Sequence, residues 1–91
     1  MTSYDNYRTQ TQRVRGGLVR SQFGETSEAI FMNSGYVFQS AEEAKARFAG
    51  ETEGYLYSRY GNPTVSMFED RMALNEGSEA CFATASGMAA M

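Results

Sequence analysis

The sequence predicts a mixed chain of helices and one short strand, and three observations carry that prediction. Ser40 stands directly before Ala41, with Glu43 three residues further on, the pattern of a capped helix start. Asn62-Pro63 sets a capping residue before a proline, which suits a first helical turn because the missing N–H would have no helical acceptor there. Residues 80–84 are short and mostly apolar and run through Ser86-Gly87 into Met88-Ala89-Ala90, the outline of a buried strand, a tight turn and a new helix.

Taken in order, residues 1–27 are polar and mixed, with Gly16-Gly17 and Gly24 and no sustained apolar period. They read as an extended arm with a short helical turn around residues 9–14. The arm has too little apolar surface to fold alone. It is either disordered or laid across something whose contacts offset the entropy lost on ordering. Residues 29–38 are rich in Ile, Phe, Tyr and Val and suit extended backbone, interrupted by the turn-favouring Asn33-Ser34-Gly35. A helix follows over residues 41–49 and ends at Gly50, with Ala44 and Phe48 on one face and Glu42, Glu43, Lys45 and Arg47 on the wet side. Residues 54–61 are aromatic and polar at once, with Tyr55, Tyr57 and Tyr60 around Ser58 and Arg59. The second helix spans residues 63–75 and stops before Gly77. Val65, Phe68 and Met72 form its expected buried stripe, with Glu69, Asp70, Arg71 and Glu76 off it. The sequence then stops in the opening turn of an element, and truncation is the expectation.

Composition narrows the chemistry. A chain of 91 residues, 42% hydrophobic and carrying a net charge of −3, is one small domain or part of one. Its core would be marginal without disulfides or metal, so further chain or a partner is expected to complete it. Eleven acidic residues against eight basic ones, with no basic block, remove the footprint of a nucleic-acid binder. There is no His, one Cys (Cys81) and one Lys (Lys45), so no Ser-His-Asp triad, Cys-His pair or His-bearing zinc site can be assembled from this chain alone. Cys81 reads as a small core residue that cannot form an internal disulfide. Lys45, among Glu42 and Glu43, lacks the dry pocket that a covalent lysine needs. No basic segment followed by an apolar signal core opens the chain and no apolar run approaches membrane-spanning length, which favours a cytoplasmic setting.

Two stretches could bind an anion. The turn at Ser86-Gly87 would present free backbone N–H groups at the positive end of a helix, with a hydroxyl from Ser86 and close backbone approach at Gly87. Turns of this kind are also common without any ligand. Tyr57 and Arg59, two apart in an extended stretch, would point to one side and offer a phenol and a guanidinium to one phosphate. The plainer alternative is an aromatic and a cation packed in a surface loop.

Together, Tyr57-Ser58-Arg59-Tyr60-Gly61-Asn62-Pro63-Thr64 and Ala83-Thr84-Ala85-Ser86-Gly87-Met88-Ala89-Ala90 resemble the opening portion of the pyridoxal-phosphate enzymes of cysteine and methionine metabolism, the trans-sulfuration family. The resemblance extends over Arg47-Phe48-Ala49-Gly50 and from Phe68-Glu69 to Gly77, covering roughly residues 28–91. It implies an α/β cofactor domain of the aspartate-aminotransferase-like fold type I, with a mainly parallel sheet. Residues 1–40 would be an arm on a partner subunit, and residues 41–91 the helical segment and start of the cofactor domain. It implies pyridoxal 5′-phosphate as cofactor, with Gly87, Met88 and Ser86 at the phosphate of the chain's own cofactor and Tyr57 and Arg59 at that of a neighbouring subunit. Phe48 would lie near the neighbour's substrate entrance. A homo-oligomer follows, a dimer sharing active sites and a tetramer overall, acting on a small amino-acid substrate with neither nucleic acid nor membrane.

Within the family, Ser27-Glu28-Ala29-Ile30, Arg47-Phe48-Ala49-Gly50-Glu51 and Ala83-Thr84-Ala85-Ser86-Gly87-Met88 resemble the members that make homocysteine from O-succinylhomoserine and sulfide in methionine biosynthesis. The family's covalent lysine, the aspartate at the pyridine nitrogen, the ring-stacking aromatic residue and the carboxylate-binding arginine have no counterpart here. A chain without that lysine is expected to be inactive alone. The other family branches are alternatives, as is a non-catalytic phosphate-binding module of this length.

Overall fold

The computed structural model describes residues 7–91, and among them four helices: α1 (Thr9–Arg15), α2 (Ala41–Phe48), α3 (Pro63–Glu76) and α4 (Gly87–Ala90). They fall in two compact units, one made of the chain up to Ile30 together with Pro63–Met91, the other of Phe31–Asn62.

In the first unit α1 packs on α3. The approach is set by the glycine pair that ends α1. Gly17 has φ +73°, and a Cβ there would fall 2.9 Å from the Asp70 Cβ and 3.0 Å from the Arg71 backbone nitrogen, so only glycine lets the chain graze α3. Just beyond, Leu18 is buried at 4% exposure, as is Met67 of α3 at 3%, and the Val19 N–H lies 3.4 Å from the Met67 sulfur. Polar ties complete the seam. Arg71 donates through Nε to the Gly16 carbonyl at 2.9 Å and through its fork to both Glu28 oxygens at 3.0 Å. Arg13 reaches Asn75 at 2.9 Å, and the Thr64 hydroxyl donates to the Ala29 carbonyl at 2.9 Å.

The expected helical turn around residues 9–14 is α1, and the described part of the arm read over residues 1–27 is laid on α3, which supplies the surface it lacks. One expectation changes here. The buried face of α3 is not Val65, Phe68 and Met72, which are 45%, 54% and 36% exposed. The arm takes the face carrying Met67, Arg71 and Leu74, spaced four and three apart, because the two glycines and the Arg71 fork fit there.

The second unit is built around α2. The Ser40 hydroxyl accepts the Glu43 N–H at 3.0 Å, as the capping pattern requires, but the Glu43 carboxylate reaches the N–H of Gln39 at 2.7 Å rather than that of Ser40. At the other end Gly50 adopts φ +78°, its N–H bonding the Arg47 carbonyl and the Glu51 N–H that of Ala46, a paired closure that satisfies two orphan carbonyls. The last turn of α3 closes in the same way through Gly77 and Ser78. Arg47 lies with its guanidinium 4.9 Å from the Phe38 ring centre and pairs with Glu43 at 2.6 Å. An antiparallel bridge joins Gly35 to Tyr57, and Tyr36 stacks on Tyr55 at 5.6 Å.

Residues 80–84 are extended but unpaired among the described residues, and Phe82 is 85% exposed, so the expected buried strand is not formed within this chain. A strand needs a neighbouring strand for its backbone groups, and among the described residues none pairs with this segment.

Candidate functional site

The loop carrying Tyr57 and Arg59 begins at the Gly35–Tyr57 bridge and turns at once. The Tyr57 carbonyl accepts the N–H groups of Tyr60 at 2.9 Å and Gly61 at 3.0 Å. The alternation argument that aimed Tyr57 and Arg59 to one side therefore does not apply, because they flank a turn and not a strand. The residue between them fixes the loop. Ser58 donates its N–H to the Ser34 carbonyl at 2.9 Å and its hydroxyl to the Asn33 carbonyl. The same hydroxyl accepts from the Asn62 amide at 3.1 Å and lies 3.3 Å from the Tyr36 hydroxyl. Asn62, only 7% exposed, also donates to the Phe31 carbonyl at 2.8 Å. Burying that amide is tolerable only because it has such partners.

What the network leaves free is the chemistry. The Arg59 side chain is exposed and has no acceptor among the described residues; the Tyr57 ring meets Tyr60 edge-on at 5.8 Å, and its hydroxyl is likewise unpaired.

The second candidate is the start of α4. Ser86 is extended, φ −155°, and its hydroxyl, which the sequence offers as a donor to a ligand, accepts the Ala89 N–H at 3.1 Å as a side-chain cap. The Thr84 hydroxyl donates to the Ser86 carbonyl at 2.9 Å. The N–H groups of Gly87 and Met88 have no acceptor among the described residues, and a Cβ on Gly87 would meet nothing within 4 Å.

Phe48 closes α2, 69% exposed, with its ring 5.9 Å from that of Phe38. Cys81 is half-buried and Lys45 exposed. Among the described residues no three metal-ligating side chains cluster, and no helix is long and apolar enough to cross a membrane. A cavity of about 220 Å³ is lined by Glu28, Thr64, Met67, Phe68 and Arg71, none of them a residue the sequence offers for ligand binding. The hydrogen bond from Arg71 holds the Glu28 carboxyl below its usual range, and the Ser21 N–H and hydroxyl do the same for Glu25.

Comparison with known proteins gives the family. The family model for Cys/Met metabolism PLP-dependent enzymes matches residues 10–91. The chain belongs to this family. It is 62% identical over 81 residues, 89% of its length, to O-succinylhomoserine sulfhydrylase of Mycobacterium tuberculosis, and 40% identical over 81 residues to L-methionine gamma-lyase of Porphyromonas gingivalis. It spans 20% of the length of each. Among solved structures it resembles a Campylobacter jejuni protein described as an O-acetylhomoserine (thiol)-lyase, solved with N′-pyridoxyl-lysine-5′-monophosphate. The TM-score is 0.86 at 34% identity, over 93% of this chain and 21% of that one. The fold class is therefore that of the PLP-dependent transferases, of which the chain carries a mostly helical portion.

The donors present fit the family's cofactor at its phosphate. A dianionic group needs hydrogen-bond donors and positive charge, and the unpaired groups are two backbone N–H, a phenol and a guanidinium. Sequence reasoning found these residue types but missed Ser58, Asn62 and Glu69, which hold the stretches that carry them. The available signal is that Ser58 and Asn62 lie inside the first motif, where Asn62 reads locally as a helix cap.

Proposed function

We propose that this chain forms the N-terminal part of a pyridoxal-phosphate-dependent sulfhydrylase that converts O-succinylhomoserine and sulfide to homocysteine in methionine biosynthesis. In this reading the N–H groups of Gly87 and Met88, with Ser86 in the same turn, hold the phosphate of the chain's own cofactor. Tyr57 and Arg59 reach the phosphate of a neighbouring subunit's cofactor, and Phe48 lies near that neighbour's substrate entrance. The enzyme is then a cytoplasmic homo-oligomer, a dimer sharing its sites and a tetramer overall, with the arm against the partner.

When bound, the cofactor supplies the electron sink that stabilises a carbanion. The residues of this chain bind and orient it. Lys45 is exposed on α2 and is not the covalent lysine, a role the reading places outside these residues. The observation that carries the reading is the set of unpaired donors at residues 57, 59, 87 and 88 in a chain whose family uses a phosphorylated cofactor.

The test uses the complete gene product that carries these residues. Its denatured mass is expected to be several times the 10.1 kDa of this chain, as the 20% coverage of the relatives implies. Arg59→Ala is expected to weaken pyridoxal phosphate affinity about ten- to a hundred-fold, the range of a hydrogen bond to a charged group, with unchanged circular dichroism. Equal affinity would remove Arg59 from the site. Sulfide-dependent turnover of O-succinylhomoserine should exceed that of O-acetylhomoserine. The gamma-lyase similarity supports a second reading, which predominant elimination from methionine would favour.

A further inference from the structure

We infer that Glu69 of α3 is a positioning residue for the phosphate-binding turn at residues 86–88, an inference that rests on the function proposed above. The segment leading into that turn has no sheet partner among the described residues. Its other hydrogen bonds are local: the Ser78 hydroxyl to the Ala80 carbonyl at 3.2 Å, the Thr84 hydroxyl to the Ser86 carbonyl at 2.9 Å, and the Ala89 N–H to the Ser86 hydroxyl at 3.1 Å. These shape the turn without fixing where it stands. The bond that ties the segment to a helix runs from the Ala83 N–H to the Glu69 carboxylate, at 2.7 Å and partly buried.

Three features make this bond a register pin. Residues 81 and 83 are half-buried while 80, 82 and 84 are exposed, so the chain alternates sides as extended backbone does, and a slip of one residue would invert that pattern. Glu69 is half-buried with no cation paired to it among the described residues, so the Ala83 N–H is what compensates its partial desolvation. Ala83 lies three residues before Ser86, about 10 Å of extended chain at most. A shift at Ala83 therefore carries through to the N–H groups of Gly87 and Met88.

The experiment titrates the apo form of the complete gene product with pyridoxal 5′-phosphate and, separately, with pyridoxal. Glu69→Ala is expected to raise the dissociation constant for the phosphorylated ligand about tenfold, while Glu69→Gln, whose amide oxygen still accepts, stays within about threefold. Pyridoxal, which lacks the phosphate, should lose little. A purely structural role would lower the melting temperature but weaken both ligands alike, and that result overturns the inference. So does an unchanged constant in Glu69→Ala. Should the alanine variant not fold, Glu69→Asp decides, since it keeps the charge but is one methylene too short: wild-type affinity for the phosphorylated ligand refutes the pin, and a severalfold loss supports it. Arg59→Ala separates the two levels of the argument. If Arg59→Ala weakens binding and the Glu69 variants do not, the inference alone fails. If neither does, the function reading falls first and takes the inference with it.

Discussion

In the loop around Ser58, one hydroxyl and one buried amide tie residues 31–36 to residues 58–62, and the side chains of Tyr57 and Arg59 project from a frame that their own unit completes. In the turn around Ser86 the donors are backbone N–H groups, and the segment that presents them is held on α3 by a carboxylate bond to Ala83. Side-chain ligands need only a fixed Cα, because rotamers supply the remaining reach. Backbone ligands have no such freedom, so their position is as good as the support of the segment that carries them. The loop should therefore tolerate changes at its ligands and fail at its frame, whereas the turn should be sensitive at a distance.

The largest effect is expected where the first unit is closed by backbone contact. Gly17→Ala would force a side chain into φ +73° and into a 2.9 Å approach to Asp70, costing about 2–4 kcal/mol from strain and overpacking together. Thermal unfolding of the complete gene product would register it. The loop around Ser58 belongs to the other unit, and equal protection there in wild type and variant, by hydrogen exchange, would sharpen the comparison.

Next in size is Asn62→Ala. It removes the amide donor from the Phe31 carbonyl and from the Ser58 hydroxyl, for an expected loss of about 2 kcal/mol. Faster exchange of the Ser58 amide than in Tyr57→Phe would show that the frame, and not the ligand, holds the loop. Ser58→Ala should cost somewhat less, about 1–2 kcal/mol, since water can reach part of the freed network. An intact loop after either change would break the distinction between frame and ligand.

Legibility in the sequence followed the range of the interactions. The helix ends at Ser40, Gly50, Pro63 and Gly77 were readable because a cap needs only a few neighbouring residues. The face of α3 that becomes buried was not, because it depends on a glycine pair some 50 positions away that comes close only after folding. The expected strand at residues 80–84 failed for the same reason, its partners being non-local. At the proposed site, Tyr57, Arg59, Ser86, Gly87 and Met88 were visible as residue types, and the roles proposed for them come from the family resemblance. Their supports were not visible, since Ser58 bonds across 25 positions to Asn33 and Ala83 across 14 to Glu69, separations without a local signature.

The smallest predicted effect bears on the arm. The Glu28 carboxyl is held below its ordinary value, chiefly by the hydrogen bond from Arg71, so the folded state binds its proton more weakly than the unfolded chain does. Its contribution is therefore complete above that ordinary value and is lost as the pH falls through the lowered one. The Glu28 side chain is 37% exposed, so solvent screening keeps the effect under about 1 kcal/mol. Hydrogen-exchange protection of residues 16–30 in the complete gene product, relative to the intrinsic rate at each pH, should fall in acid, and Glu28→Gln should show part of that loosening already at neutral pH. Glu25 shifts in the same direction through Ser21, so Glu25→Gln is the necessary control. If Glu25→Gln removes the acid response and Glu28→Gln does not, the arm is set by its own turn, and the Arg71 fork is packing without electrostatic consequence.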